Sequence, residues 1–177
     1  MTTIIDVFNS VADITNPNEK LQCLNYQYLK DEKRAAVIQT AKDILGIDPG
    51  QNPTPRQLYD LQVRRGFREN FLGLFGLGKV SAYRQAIAPN LPKNGALQAF
   101  SDLHACLTSE PTQSKATLES LRENLWLYNP RLYPQKATLF SRVAAIFSRS
   151  TPSFLANDAF TTIARNLHTT LDTRLYL

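Results

Sequence analysis

The chain of 177 residues has few of the residue types on which metal sites and disulfide scaffolds depend. It contains two histidines and two cysteines, and Cys23 and Cys106 lie too far apart to form a zinc-binding pair. We therefore predict two buried, reduced thiols, since an unpaired cysteine behaves as a small apolar residue. A single long-range disulfide is the alternative in a secreted protein. No metal or cofactor site is expected.

Long apolar runs are also missing. No stretch approaches the roughly 20 apolar residues that a bilayer-spanning helix needs. The N-terminus reads Met-Thr-Thr-Ile-Ile-Asp and has neither the basic nor the long apolar part of a secretory signal. These two absences predict a cytoplasmic protein.

Recognisable catalytic motifs are lacking as well. No Gly-x-Ser-x-Gly or His-Glu-x-x-His sequence is present. Because His104 and Cys106 are two positions apart on one predicted helix, they point in different directions. A dyad of Cys106 with His168 has no further support. The sequence therefore predicts no catalytic residue and favours a protein that is not an enzyme.

Strand signals are nearly absent, and helical ones recur along the chain. No segment alternates apolar and polar residues over the length of a strand. Apolar residues instead follow the spacing of one buried helix face. The stripes include Ile4/Phe8/Val11/Ile14, Leu21/Leu24/Tyr28, Ala35/Ile38/Ala41/Leu45, Leu97/Phe100/Leu103/Leu107, Leu118/Leu121/Leu125, Ala137/Phe140/Ala144/Phe147 and Phe160/Ile163/Leu167/Leu171/Leu175. They predict an all-α protein, an irregular bundle of about eight short-to-medium helices without a sheet.

Helix starts and ends are marked by capping residues. Asn16-Pro17, Thr54-Pro55 and Thr151-Pro152 each place an N-cap residue before a proline, which tolerates the first helical position. Gly46 stands where a left-handed C-cap is expected. The proline- and glycine-containing run 48–54 predicts a loop. The length and the 43% apolar content suit one domain over residues 1–177, with a soft break at 48–54.

The segment 64–84 has the most distinctive composition. Four of the seven glycines fall within 66–78, among phenylalanines and leucines. The part 73–80 resembles a phosphate-binding loop, but Val80 replaces the magnesium-binding hydroxyl and no strand precedes it. We predict partner contacts from its apolar residues and anion or anionic-lipid contacts from its basic ones. These are Phe71, Leu74 and Phe75, and Arg64, Arg65, Arg68, Lys79 and Arg84, respectively. The alternative is that the apolar residues belong to the core.

The net charge of +5 raises the question of nucleic acid. The basic residues are sparse, and the phenylalanines follow core spacing, so nucleic-acid binding is not the favoured reading. The last residues, Arg174–Leu177, resemble the hydrophobic-tipped tails of bacterial effectors delivered by type IV secretion, but Asp172 stands alone where such tails often carry an acidic cluster. Membership of that family is therefore not predicted, and delivery into a host cell has no further support. The leading prediction is a non-enzymatic helical protein that binds a protein partner. The alternative is a peripheral protein that binds anionic lipid or phosphate.

Overall fold

The computed structural model describes residues 3–63, 83–85, 87, 90–92, 94–109, 112–129 and 157–177. Over these ranges the backbone forms helices and no strand, which confirms the predicted all-α class. The α-helices are α1 (Ile4–Asn9), α2 (Pro17–Asn25), α3 (Asp31–Leu45), α4 (Pro55–Val63), α5 (Gly95–Ser109), α6 (Lys115–Asn124) and α7 (Asp158–Tyr176). Tyr26–Tyr28 and Trp126–Tyr128 are 3₁₀-helices.

Side-chain caps start α1, α2 and α4. The Thr3 hydroxyl accepts a hydrogen bond from the Asp6 amide of α1, and the Asp6 carboxylate accepts one from the Thr3 amide. The side-chain oxygen of Asn16 accepts from the first-turn amides of α2, 3.0 Å from the Asn18 nitrogen. Thr54 caps α4 in the same way. These bonds satisfy amides that have no partner inside the helix.

Gly46 ends α3 in the left-handed conformation, with φ of 67°. Its amide donates to the Lys42 carbonyl over 2.8 Å. Residues 48–54 then form the predicted loop, so the C-cap and the loop are both confirmed. The Thr151-Pro152 start and the helix expected over 137–147 lie outside the described residues.

The chain divides into two compact units, one formed by residues 1–20 with 97–177 and the other by residues 21–96. The loop 48–54, proposed above as a soft break, lies inside the second unit. The prediction of a single domain stays a prediction.

The first unit is built around Phe100 on α5. Its ring contacts Phe8 of α1, Tyr128 and Phe160 of α7, with ring centroids 5.3, 5.2 and 4.8 Å apart. All four side chains are buried. Edge-on and tilted ring pairs of this kind add to the stabilisation from apolar burial. The aromatic cluster therefore ties both parts of this discontinuous unit together.

In the second unit, α5 begins with an unusually close approach to the end of α2. The Ala96 amide donates to the side-chain oxygen of Asn25 over 2.8 Å, so a residue 71 positions earlier caps α5. A Cβ atom on Gly95 would lie 2.9 Å from the Asn25 Cα atom. Glycine is needed here because any side chain would meet backbone.

The predicted stripe Leu118/Leu121/Leu125 spans two elements, because α6 ends at Asn124 and a 3₁₀-helix follows, in which the Leu125 carbonyl accepts from the Tyr128 amide. One sequence prediction, the burial of both cysteines, needs correction. Cys23 is buried as predicted, whereas Cys106 is only half-buried. Cys106 lies at the edge of the α5 stripe whose centre is Leu103, and so does not point directly into the core. Neither cysteine is in a disulfide.

Candidate functional site

Most of the predicted contact segment lies outside the described residues. This applies to the apolar candidates Phe71, Leu74 and Phe75, and to the basic candidates Arg64, Arg65, Arg68 and Lys79. Arg84 is described and is half-buried, directly after the fully buried Tyr83. The predicted role of the segment therefore stays a prediction, and the candidate site below comes from other residues.

A buried polar network in the first unit joins α1, α2 and α6. The Lys20 ammonium donates to the Asn124 carbonyl over 3.1 Å, to the Asn124 side-chain oxygen, and more weakly to the Ala12 carbonyl over 3.4 Å. The Asn124 amide nitrogen donates to the Phe8 carbonyl over 2.7 Å. Lys20 is 1% exposed. Three oxygen acceptors therefore surround an ammonium group that has three donors.

Burial lowers the pKa of Lys20 to about 8, because desolvation penalises the charged form. The nearby Asp13 carboxylate acts in the opposite direction. The oxygen acceptors also favour the ammonium form, since a charged donor makes the stronger hydrogen bond. The contacts with Ala12 and Asn124 fix this buried amine between the loop after α1 and the end of α6.

Sequence reasoning missed both members of this network, although each has a visible signal. Lys20 lies four residues before Leu24, on the buried face of α2. Asn124 follows Leu118 and Leu121 at helical spacing on the buried face of α6. A polar residue within an apolar stripe indicates a buried hydrogen bond, because an unpaired polar group there would be costly.

A surface pocket of about 340 Å³ lies above this network. Its described lining comes from the loop after α1, from α2, from α6 and from the 3₁₀-helix that follows α6. These residues are Ala12, Ile14, Thr15, Lys20, Ser120, Glu123, Asn124, Trp126 and Leu127. The lining is mainly apolar, with polar groups at its floor and edge, as in many ligand-binding clefts.

A second pocket of about 390 Å³ shares two residues with the first. Its described lining consists of Arg122, Glu123 and Trp126. Trp126 is the only tryptophan of the chain and is 47% exposed, although the apolar stripe beside it is buried. We name the surface formed by Glu123, Trp126 and Leu127 the Trp126 surface.

The acidic residues around the Trp126 surface differ in their partners. The Glu119 carboxylate lies 3.9 Å from the Lys115 ammonium, and the Asp172 carboxylate accepts a hydrogen bond of 2.8 Å from Arg122. This bond raises the pKa of Arg122. Among the described residues, no ion pair or hydrogen bond reaches the exposed Glu123 carboxylate. Glu123 therefore offers an acceptor to a ligand.

The described residues hold no group of three or more histidine, cysteine or acidic side chains that could bind a metal ion. The His104 ring lies 3.3 Å from the Thr170 hydroxyl. No helix within the described ranges is both long and apolar enough to cross a bilayer.

Comparison of the chain with protein-family models, with curated proteins and with solved structures finds no match.

Proposed function

We propose that this is a non-enzymatic helical binding protein that takes a polypeptide partner at the Trp126 surface. The observation that carries the proposal is the position of Trp126, an exposed indole that lines both described pockets. Tryptophan is among the residues most enriched in the energetic centres of protein interfaces. The proposal places this binding in the cytoplasm, the compartment that the sequence predicts.

The local structure prepares this surface for binding. Leu125 and Tyr128 are fully buried on either side of Trp126 and hold the 3₁₀-helix in place. The Trp126 carbonyl accepts from the Asn129 amide over 3.0 Å. Because this backbone is already anchored, a partner that covers Trp126 does not have to order it, which favours affinity.

Affinity capture with a matched pair of variants tests the proposal. Wild type, Trp126→Ala and Val63→Ala are immobilised and exposed to extract from cells that produce the protein. Val63 is the control because it is also exposed, at 43%, but lies in the second unit. We expect a polypeptide that wild type and Val63→Ala retain and that Trp126→Ala loses.

The retained polypeptide is then purified and titrated into wild-type protein. Because Trp126 is the only tryptophan, the indole emission reports directly on this surface. A partner that covers the indole shifts the emission to shorter wavelength. Equal capture by Trp126→Ala and wild type, or an unchanged emission on binding, would contradict the proposal.

The segment 64–84 remains a proposed second contact surface on sequence grounds. The double variant Phe71→Ser/Phe75→Ser tests it in the same capture experiment. Loss of partners with the helical circular dichroism preserved would support the role. Unfolding of the variant would assign both phenylalanines to the core.

A further inference from the structure

We propose that Glu123 and Trp126 together bind a basic side chain, an arginine or a lysine, of the partner polypeptide. This inference rests on the proposed function, because it names the chemistry that the Trp126 surface recognises. A cationic ligand is favoured because it complements the negative charge of Glu123.

The two side chains are neighbours along one continuous helical path. Glu123 lies in the last turn of α6, and Trp126 begins the 3₁₀-helix three residues later. Side chains three positions apart on a helix lie close together, and the 3₁₀ conformation aligns them further. Both residues contribute to the lining of both pockets, so a ligand in either pocket lies beside Glu123 and Trp126.

Each group contributes a different part of the recognition. The indole face attracts a cation through its negative electrostatic potential, more strongly than the other aromatic rings do. The Glu123 carboxylate can accept two parallel hydrogen bonds from a guanidinium or a single one from an ammonium. The apolar lining from Ile14 and Leu127 suits the aliphatic stem of either side chain.

The chain already uses this combination for one of its own arginines. The Arg122 Nε atom donates to the Asp172 carboxylate over 2.8 Å, and its Cζ atom lies 5.5 Å from the centroid of the Tyr176 ring. A guanidinium is thus held between a carboxylate and an aromatic ring, on the same helix as Glu123. Glu123 and Trp126 offer the same two chemical groups, and no guanidinium from the described residues occupies them.

Two positive charges nearby oppose a cationic ligand, and both are compensated. The Lys20 ammonium at the floor of the first pocket is bonded to the oxygens of Asn124 and attracted by Asp13. The Arg122 charge is paired with Asp172. Among the described residues that line the two pockets, Glu123 therefore supplies the charge without an opposite partner.

Titration with a defined peptide pair tests the inference without the natural partner. The probe is acetyl-Gly-Gly-Arg-Gly-Gly-amide, and its counterpart carries citrulline, which has the same shape without the charge. Binding to the wild-type protein is followed by the emission of Trp126 and by calorimetry. We expect the arginine peptide to bind about tenfold more tightly than the citrulline peptide, as expected for a hydrogen bond to a charged group.

Glu123→Gln and Glu119→Gln form the matched variants. Both remove one negative charge from the exposed face of α6, four residues apart, but Glu119 does not line either pocket. We expect Glu123→Gln to weaken arginine-peptide binding about tenfold and Glu119→Gln to change it less than about twofold.

Three results would overturn the inference: no binding of the arginine peptide, equal binding of the citrulline peptide, or equal effects of the two glutamate variants. Failure here is distinguishable from failure of the proposed function. If capture of the partner requires Trp126 but is unchanged by Glu123→Gln, the proposed function stands and the recognition of a basic side chain is rejected. If the arginine peptide binds in a Glu123-dependent way but no partner is captured, the recognition of a basic side chain stands and the proposed function is rejected.

Discussion

The Lys20 ammonium and the side-chain oxygen of Asn124 are hydrogen-bond partners inside the first unit, although 104 residues separate them in sequence. Each group satisfies a polar atom that burial would otherwise leave without a partner. Substitution of either residue should therefore lower the stability of the unit, although lysine and asparagine are usually surface residues whose substitution has little effect.

Asn124→Ala should lower the free energy of unfolding by about 3 kcal/mol, because it leaves a buried ammonium short of an acceptor. Lys20→Met should cost less, since it also removes the desolvated charge. The double variant should cost less than the sum of the two single changes. Urea denaturation of the four proteins measures this coupling, and additive effects would show that the two residues do not act together.

The same lysine should make stability depend on pH. Its pKa is lowered to about 8 in the folded protein from 10.5, so between these values the unfolded chain binds more protons. The free energy of unfolding therefore rises with pH in this window, by about 2 kcal/mol between about pH 7 and about pH 9.5.

The free energy of unfolding of Lys20→Met should not show this rise. Subtracting its pH profile from that of wild type leaves the contribution of Lys20, because the other titrating groups are present in both proteins. Both proteins carry the same seven tyrosines, so tyrosine titration affects the two profiles alike. Parallel pH profiles of wild type and variant would contradict the lowered pKa.

Gly95→Ala should lower the free energy of unfolding by about 1–3 kcal/mol, although alanine is ordinarily the better helix residue. The added Cβ atom would lie 2.9 Å from the Asn25 Cα and side-chain oxygen, which must move and so weaken the cap on Ala96. Gly50→Ala is the control, since nothing lies within 4 Å of a Cβ atom there. Thermal unfolding should separate the two variants, and equal melting temperatures would contradict the close approach.

Removal of the hydroxyl group should lower the free energy of unfolding at one of two buried tyrosines and not at the other. The Tyr83 hydroxyl donates to the Leu58 carbonyl over 3.2 Å, so Tyr83→Phe should cost about 1 kcal/mol. The Tyr26 hydroxyl is buried and has no hydrogen-bond partner among the described residues, so Tyr26→Phe should be neutral or stabilising. Burial raises the pKa of both hydroxyls.

Chemical denaturation of the two tyrosine variants checks this contrast. A large loss of stability in Tyr26→Phe would indicate a bound water or another acceptor at that hydroxyl. Equal losses in both variants would contradict the assigned hydrogen bond of Tyr83.

The local features of the fold were predictable because they depend on neighbouring residues. Thr3, Asn16 and Gly46 act as caps through amides and carbonyls within a few positions, and the sequence displays those positions directly. The exposure of Cys106 was predicted wrongly because burial at the edge of a helix face depends on which neighbour packs there.

The candidate site could not be predicted, because its parts come from distant segments. Lys20 looks like an ordinary surface lysine until Asn124 is placed beside it. Trp126 follows the buried Leu125 directly and is itself 47% exposed, and its exposure depends on which segments pack beside the 3₁₀-helix. A pocket is a property of the assembled backbone, and periodicity alone does not indicate one.

The division of the chain bears on the order in which its parts can assemble during synthesis. Residues 21–96 form a compact unit from a continuous stretch, whereas residues 1–20 share a unit with 97–177. On the ribosome, all residues of the second unit are synthesised before Asn124, which donates a hydrogen bond to the Phe8 carbonyl of α1. The apolar residues Phe8 and Val11 therefore lack their native contacts until more than half of the chain has been synthesised.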